Sequence, residues 1–362
     1  MNKKMPSKEP VLKVAKRSIG LSYPAYFIAD IAANHDGDLE KAKKLITLAK
    51  EAGADAAKFQ HFQAEKIASK FGFESFGSRL SHQSKWKKSV YQVYQDASVP
   101  WEWTKKLKEH CDKVGIHFFS APYDLNAVDR LNSYMPAYKV GSGDITWYES
   151  LERMASKKKP IFLATGASDM AEVRKAVKLI TKINPNICLM QCNTNYTGTR
   201  DNFRYIHLNV LKAYAREFPN VVLGLSDHTP GHSTVLGAVA LGARAIEKHF
   251  TDNRKNTGPD HGFSMEPSDW QEMVERTREL ELALGIEKKE IQENEKETVL
   301  IQRRCCRSAR DIKAGEVIHR EDIEVLRPVK PGSLTPLDME NILGKKIKHS
   351  MPKGEAFMRN YF

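Results

Sequence analysis

Two histidines close short apolar runs late in the chain: His228 in "VVLGLSDH" and His249 in "AIEKHFTD". If those runs are neighbouring strands, about 4.8 Å apart, imidazoles at their tips can share one divalent cation. Nitrogen donors without cysteine suit Mn²⁺, with Mg²⁺ or Co²⁺ as alternatives, and with water and substrate in the remaining positions. A hydrogen-bonded histidine pair is the plainer reading, and spacing alone does not separate the two. Lys58 in "AAKFQ" and Lys139 in "AYKVGSG" also sit in apolar runs, where an ammonium needs an anion. Ser142 follows Lys139 in a glycine-flanked turn whose backbone N–H groups can approach an anion closely. Together they form a candidate phosphate or carboxylate cradle. A lysine Schiff base competes with that reading; two lysines with serines and a metal pair favour anion binding.

These residues need elements to hold them. Eight apolar runs recur over the first 250 or so residues: "YFIADIAA", "AAKFQHF", "HFFSAPY", "AYKVGSG", "PIFLATG", "ICLMQCN", "VVLGLSDH" and "AIEKHFTD". Helix-period segments such as "EVRKAVKLITKI" lie between them. Strand alternating with helix implies parallel strands joined by crossovers, and eight repeats imply a (β/α)8 TIM barrel. The rival is an open doubly wound sheet, which usually carries a glycine-rich phosphate turn after its first strand; "DIAANHDG" has none.

In a barrel of this type the active site lies at the C-terminal ends of the strands. Every run here ends in polar types. In chain order they are Asp30, Asn34 and His35; Lys58 and Gln60; Ser120; Lys139, Ser142 and Asp144; Thr165; Tyr196; Ser226, Asp227 and His228; Glu247 and His249. One such residue would read as a satisfied core group. All eight runs ending so point to an enzyme. Strand alternation puts Glu247 and His249 on one face and Ile246 and Phe250 on the other. The first pair should face the barrel mouth. Lys248 should lie on the helix side, reaching solvent or a carboxylate.

The chain has 362 residues, 57 Lys plus Arg against 45 Asp plus Glu, and a formal net charge of +12. The basic residues are scattered along helical stretches, without the compact basic run and interleaved aromatics of a nucleic-acid site. No run of about 18 apolar residues suggests a membrane span. Five cysteines without a CxxC argue against a disulfide framework and fit a reducing cytoplasm. The expected organisation is a loose tail over 1–22, the barrel over 23–284, a charged linker over 285–302 and a small domain over 303–362. Residues 63–98 should form an insertion over the barrel top, with some helix of its own.

The blocks "FIADIAANHDGDLEKAKKLITLAKEAGADAAKFQ", "AYKVGSGD", "LATGAS", "GLSDHT" and "EKHFT…GPDH" resemble the sialic acid synthase family in order and spacing over about residues 25–270. The tail, "RRCCRSARDIKAGE…LRP…LGKKI…MPKGE", resembles that family's C-terminal antifreeze-like (SAF) domain. The resemblance implies condensation of phosphoenolpyruvate (PEP) with an N-acylated amino sugar, such as N-acetylmannosamine or a dideoxy-diamino hexose, to give a nonulosonic acid and phosphate. It implies a divalent metal on His228 and His249. Lys58 and Lys139 would bind PEP with Ser142 beside them, and Tyr196 and Asp260 match further site positions. It also implies a domain-swapped homodimer in which Arg327, in "VLRP", reaches the partner's site. Asp30 and Asp144 are the candidates to handle the proton when water adds.

The family usually carries Glu at the positions of Asp30 and Asp144, a serine at Ala164 and a proline at Thr197. These departures should cluster where the acceptor sugar lies. Two other readings are a PEP-condensing synthase for a sugar phosphate, of the octulosonate-8-phosphate type, and a non-catalytic carbohydrate-binding protein with a decayed barrel. The SAF-like tail argues against the first, and the retained histidines and lysines against the second.

Overall fold

The computed structural model describes residues 9–76, 83–84 and 86–362. The expected loose tail is, from residue 12, an antiparallel hairpin of β1 (Leu12–Val14) and β2 (Arg17–Ile19). Leu12, Val14 and Ile19 are buried. Three apolar side chains leaving water outweigh the entropy of ordering so short a piece.

All eight apolar runs become strands: β3 (Tyr26–Asp30), β4 (Ala56–His61), β5 (His117–Pro122), β6 (Tyr138–Val140), β7 (Ile161–Ala164), β8 (Ile187–Cys192), β9 (Val222–Asp227) and β10 (Ala243–His249). They pair in parallel in the order β5-β4-β3-β10-β9-β8-β7-β6. β5 lies beside β6 without a ladder between them, so the barrel is nearly closed.

The crossover helices form for local reasons. In the helix Met170–Ile183, Asp169 and Glu172 make a reciprocal capping box, satisfying two amide donors that the first turn leaves free. Its buried residues Val173, Ala176, Val177 and Ile180 recur at helical spacing on one stripe. That stripe and its equivalents meet the outward side chains of the strands, such as Phe27, Phe59, Leu163 and Ile246, in the main core.

The inward side chains form a second cluster. Tyr26, Ile28, Phe119, Phe162 and Met190 pack with Leu12, Val14 and Ile19 of the hairpin. Tyr26 opens β3 and Phe162 is second in β7, so aromatic rings and the hairpin fill the N-terminal end of the barrel. In β10 the register slips between Ala243 and Ala245. Ala243 therefore joins the outer core and Ala245 the inner one, and the bulge sets which way Glu247 and His249 point.

The insertion after β4 contains helices Ala64–Ile67, Lys70–Ser75 and Val90–Ala97; residues 77–82 and 85 of that expectation lie outside the described residues. The helix Pro267–Leu284 follows β10.

The second unit is Ile286–Phe362. Within the segment expected as a charged linker, Glu293–Glu295 and Lys296–Gln302 are helical. They carry no buried residue, so no apolar stripe marked them in the sequence. β11 (Cys305–Ser308) pairs antiparallel with β12 (Ile323–Leu326) around a core of Cys306, Ile312, Ile318, Ile323 and Phe357. All five cysteines are free and buried. Among the described residues, no helix is long and apolar enough to cross a membrane.

Candidate active site

Asp30, Lys58 and His249 sit on three adjacent strands in direct register, His249 opposite Asp30 and Asp30 opposite Lys58. All three point inward. Lys58 Nζ donates to Asp30 Oδ2 at 2.6 Å, Gln60 Nε2 to the same oxygen at 3.1 Å, and His249 Nε2 lies 3.5 Å away. Burial alone would lower the Lys58 ammonium, but Asp30 and Glu247 outweigh it and hold it above its usual range. Lys139 Nζ stands 3.4 Å from Glu247 Oε1, and Ser226 Oγ donates to that oxygen at 3.2 Å. Two buried lysines are thus matched by two buried carboxylates, which is how an apolar barrel tolerates them. The three ionisable residues of "EKH" in β10 are accounted for in the same way. Glu247 and His249 face inward, and Lys248 faces outward to Asp227.

The outward face corrects several expectations. Lys248 Nζ bonds Asp227 Oδ2, and also donates to Thr229 O at 2.6 Å. Thr234 Oγ1 adds a 2.7 Å bond to Asp227. Lys248 and Asp227 are register partners, so this pair staples β9 to β10 behind both histidines. Ser120, expected to touch substrate, faces the helix layer, where its hydroxyl meets His61 Nδ1 at 2.7 Å and Phe59 O at 3.1 Å. Thr165 does likewise, donating to Met190 O at 3.0 Å and accepting from Tyr214 Oη at 3.0 Å. Asn34 is spent on Phe250 O and Ser264 Oγ. Buried His35 packs its ring against Trp103. In each case the strand or loop end is polar, but the side chain falls on the scaffold side.

The histidine pair is as expected in place, with ring centroids 5.4 Å apart. His228 Nδ1 lies 2.9 Å from Asn193 O. A carbonyl only accepts, so Nδ1 carries a hydrogen; burial alone would lower this imidazole, but Cys192, then Asn193 O and Asp227, outweigh it and raise it above its usual range. Burial, then the charges of His228 and Lys58, push His249 well below the usual range and keep it neutral. Its Nδ1 is buried with no hydrogen-bond partner. An orphaned buried imidazole nitrogen is costly, and beside a second imidazole it fits a metal ion. Among the described residues no group of three His, Cys, Asp or Glu could hold one. An ion here would keep open positions for water and substrate.

Over this floor lies a cavity of about 360 Å³. Gln60, Ser142, Asp144, Tyr196, His249 and Asp260 line it together with Phe62, Trp86, Tyr94 and Tyr123. Asp144 ends the short helix Ser142–Asp144, and burial pushes its carboxyl up to about 6. Asp260 accepts from Ala33 N at 3.1 Å and is likewise pushed up to about 6, by burial first. Asp144 lines the cavity. Asp30 does not line the cavity and is clamped beneath it on Lys58.

Ser142 Oγ accepts from Gly166 N at 2.9 Å. A Cβ on Gly166 would come within 2.6 Å of Thr194 Cγ2 and 2.9 Å of Ser142 Oγ, so only glycine permits that approach. Arg327 lies in the second unit, exposed, directly after β12.

Three contributions were missed in the sequence. Cys192, inward on β8, has a thiol that burial alone would raise, but hydrogen bonds with His228 and Ser142 outweigh it. Its spacing of two from inward Met190 was the available signal. Phe263 packs edge-on over His249 at 4.8 Å between centroids, and Tyr196 over His228 at 4.5 Å. Phe263 comes from the short helical turn His261–Phe263 after β10, with no strand phase to betray it. Trp86 and Tyr94 come from the insertion, where their type but not their direction was legible.

The chain matches the NeuB family over residues 45–289 and the SAF domain over residues 303–360. It is 32% identical to N,N′-diacetyllegionaminic acid synthase of Legionella pneumophila, covering 94% of this chain and 95% of that one. It is 30% identical to human N-acetylneuraminate-9-phosphate synthase, covering 94% of each. Among solved structures, N-acetylneuraminic acid (sialic acid) synthetase of Leptospira borgpetersenii in complex with citrate is similar with a TM-score of 0.70 and 28% identity. That match covers 80% of this chain and 95% of the other.

Proposed function

The chain belongs to the NeuB family, and from that membership we propose that it condenses phosphoenolpyruvate with an N-acylated amino sugar, giving a nonulosonic acid and inorganic phosphate. The observation that carries this reading is the pair of inward, buried lysines, Lys58 and Lys139, set directly beneath a cavity whose walls include His249, Asp144 and Asp260. Two inward cations beneath one cavity suit an anion that carries both a phosphate and a carboxylate.

In this reading the PEP methylene carbon attacks C1 of the open-chain sugar, forming the new C–C bond, and the former aldehyde oxygen takes a proton. Water then adds to C2 and loses a proton, and the C2–O bond to phosphate breaks, leaving a 2-keto acid. Lys58, Lys139 and Ser142 hold phosphate and carboxylate so that the methylene faces the aldehyde, where orientation is worth several kcal/mol. Asp144 and Asp260, with carboxyls pushed up to about 6, can exchange protons near neutral pH. Aromatic packing by Tyr196 and Phe263 over the histidine rings limits water there. A divalent cation held by His228 and His249, with Mn²⁺ the ion of choice, would serve as Lewis acid toward the aldehyde oxygen.

The test is PEP consumption with Mn²⁺ and a panel of N-acyl hexosamines, with mass spectrometry of the product. The expected result is one phosphate per nine-carbon keto acid formed. PEP loss with arabinose 5-phosphate in place of the amino sugars would favour the octulosonate-type reading and overturn this one.

We propose further that the protein works as a domain-swapped homodimer in which Arg327 serves the partner's barrel, as family membership suggests. A guanidinium only donates and stays charged, which suits an anionic or hydroxyl-rich substrate. Arg327→Ala and His249→Ala should each be inactive alone. Mixed under subunit exchange, some dimers pair an intact barrel with an intact arginine, and activity should partly return. A mixture as inactive as its parents, with exchange demonstrated, would show that Arg327 does not act across subunits.

A further inference from the structure

A second cavity, of about 250 Å³, opens at the end of the barrel opposite the mouth, wholly within the first unit. It lies between the exit of the N-terminal hairpin, the C-terminal ends of helices Val210–Glu217 and Ser233–Ala240, and the starts of β9 and β10. Its wall is apolar, with Leu21, Phe218, Val221, Leu223 and Leu241, and Arg244 is the one polar side chain among the described lining residues. Arg244 is only 8% exposed. Its Nη1 donates to Val239 O at 3.0 Å and Ala243 O at 2.8 Å, which uses two of the five N–H groups of a guanidinium. Nε is buried without a partner, and Nη2 has none among the described residues. The two acids whose charge it feels, Glu281 and Glu9, are engaged elsewhere. Glu281 accepts from Ala25 N at 2.6 Å and Arg278 Nη1 at 2.8 Å, and Glu9 from Ser22 Oγ at 2.9 Å. None of residues 1–8, 77–82 and 85 is Asp or Glu, so the residues outside the description hold no acid for it either.

The geometry points to a second ligand site here, for a small monocarboxylate with an aromatic or branched apolar tail. The inference is independent of the synthase reading above. Arg244 is the residue that the β10 bulge leaves out of register, between Ala243 and Ala245. An extra residue in a bulge is unpaired and re-aimed, so this side chain follows neither face of the strand and turns to the cavity. A guanidinium does not shed its proton to escape burial, and an unmatched buried charge is costly. A carboxylate on its free N–H groups removes that cost, and such charge-assisted bonds are about twice as strong as neutral ones. The tail then takes the apolar wall out of water. Size agrees: a cavity of about 150 Å³ holds a benzene ring, so about 250 Å³ holds a ring and its carboxylate. A bare phosphate would leave the apolar wall uncovered. A sugar acid would bury hydroxyls against it without partners.

The experiment titrates the full chain by calorimetry with phenylacetate, 2-phenylethanol and 2-phenylethylamine, which share a ring and differ in the charge of the end group. Phenylacetate should bind with a Kd of about 1 mM or tighter. It should bind at least about tenfold more tightly than the alcohol or the amine. Arg244→Met should bring the acid down to the level of the alcohol. Leu21→Ala changes a side chain that is 48% exposed, so the fold should tolerate it, and it should weaken the acid by about twofold or more. That second variant decides the matter if Arg244→Met does not fold. No saturation by about 10 mM phenylacetate overturns the proposal, as does an acid bound no more tightly than the alcohol. Unchanged phenylacetate affinity in either folded variant also overturns it, because the acid then sits elsewhere, as on Lys58 and Lys139.

Discussion

Exhaustive dialysis against EDTA should lower turnover at least about a thousandfold, and added Mn²⁺ should restore it. His228 and His249 end adjacent strands with ring centroids 5.4 Å apart. One ring is fixed by Asn193 O at 2.9 Å, and the other has a buried nitrogen without a partner. His228→Ala and His249→Ala should each lose tight Mn²⁺ binding, read directly by titration of the ion, with little change in the circular dichroism of the folded chain. The fold should survive because the staple between the two strands is the outward Asp227–Lys248 pair, which neither substitution touches. Full activity in excess EDTA would remove the metal from the reaction.

Lys58→Met should have the second large effect, on two observables at once. The apparent KM for PEP should rise by about two orders of magnitude or turnover should vanish, because a charge-assisted contact to the anion is lost. Stability should also fall, by about 3–5 kcal/mol, because Asp30 stays buried without the ammonium at 2.6 Å. The double substitution Lys58→Met with Asp30→Asn removes the stranded charge and should regain most of that stability in a denaturant melt, while turnover stays lost. That divergence separates the lysine's work on substrate from its work on the fold. A single variant that keeps the parental KM for PEP would remove Lys58 from the substrate site.

The barrel was legible because each of its eight strands is an apolar run separated by helix-period sequence, and no long-range information is needed to see that. The site was legible in part. At Glu247, Lys248 and His249 the two-residue period sorted the side chains correctly. At Ser120 and Thr165 a polar strand end suggests an inward side chain, although the same period, counted from Phe119 and Phe162, sends both outward. Asp30 reads as a lining residue in the sequence because its clamp on Lys58 joins residues 28 positions apart. The hairpin Leu12–Ile19 hid for another reason. Its turn passes through Ala15 at a φ of 49°, a conformation that usually advertises itself by glycine or asparagine, and its strands are three residues each.

That hairpin also decides how molecules move through the protein. With Leu12, Val14 and Ile19 packed on Tyr26, Phe119 and Phe162, the barrel is a blind well, and its mouth is both entrance and exit. Lys58 and Lys139 lie one layer below the cavity, so a sugar bound there as proposed would stand between the lysines and solvent. A reaction on those terms has a queue. In the proposed reaction the occupant of the deep place would enter before the sugar, and whatever is released from it would leave only after the shallow place had been vacated.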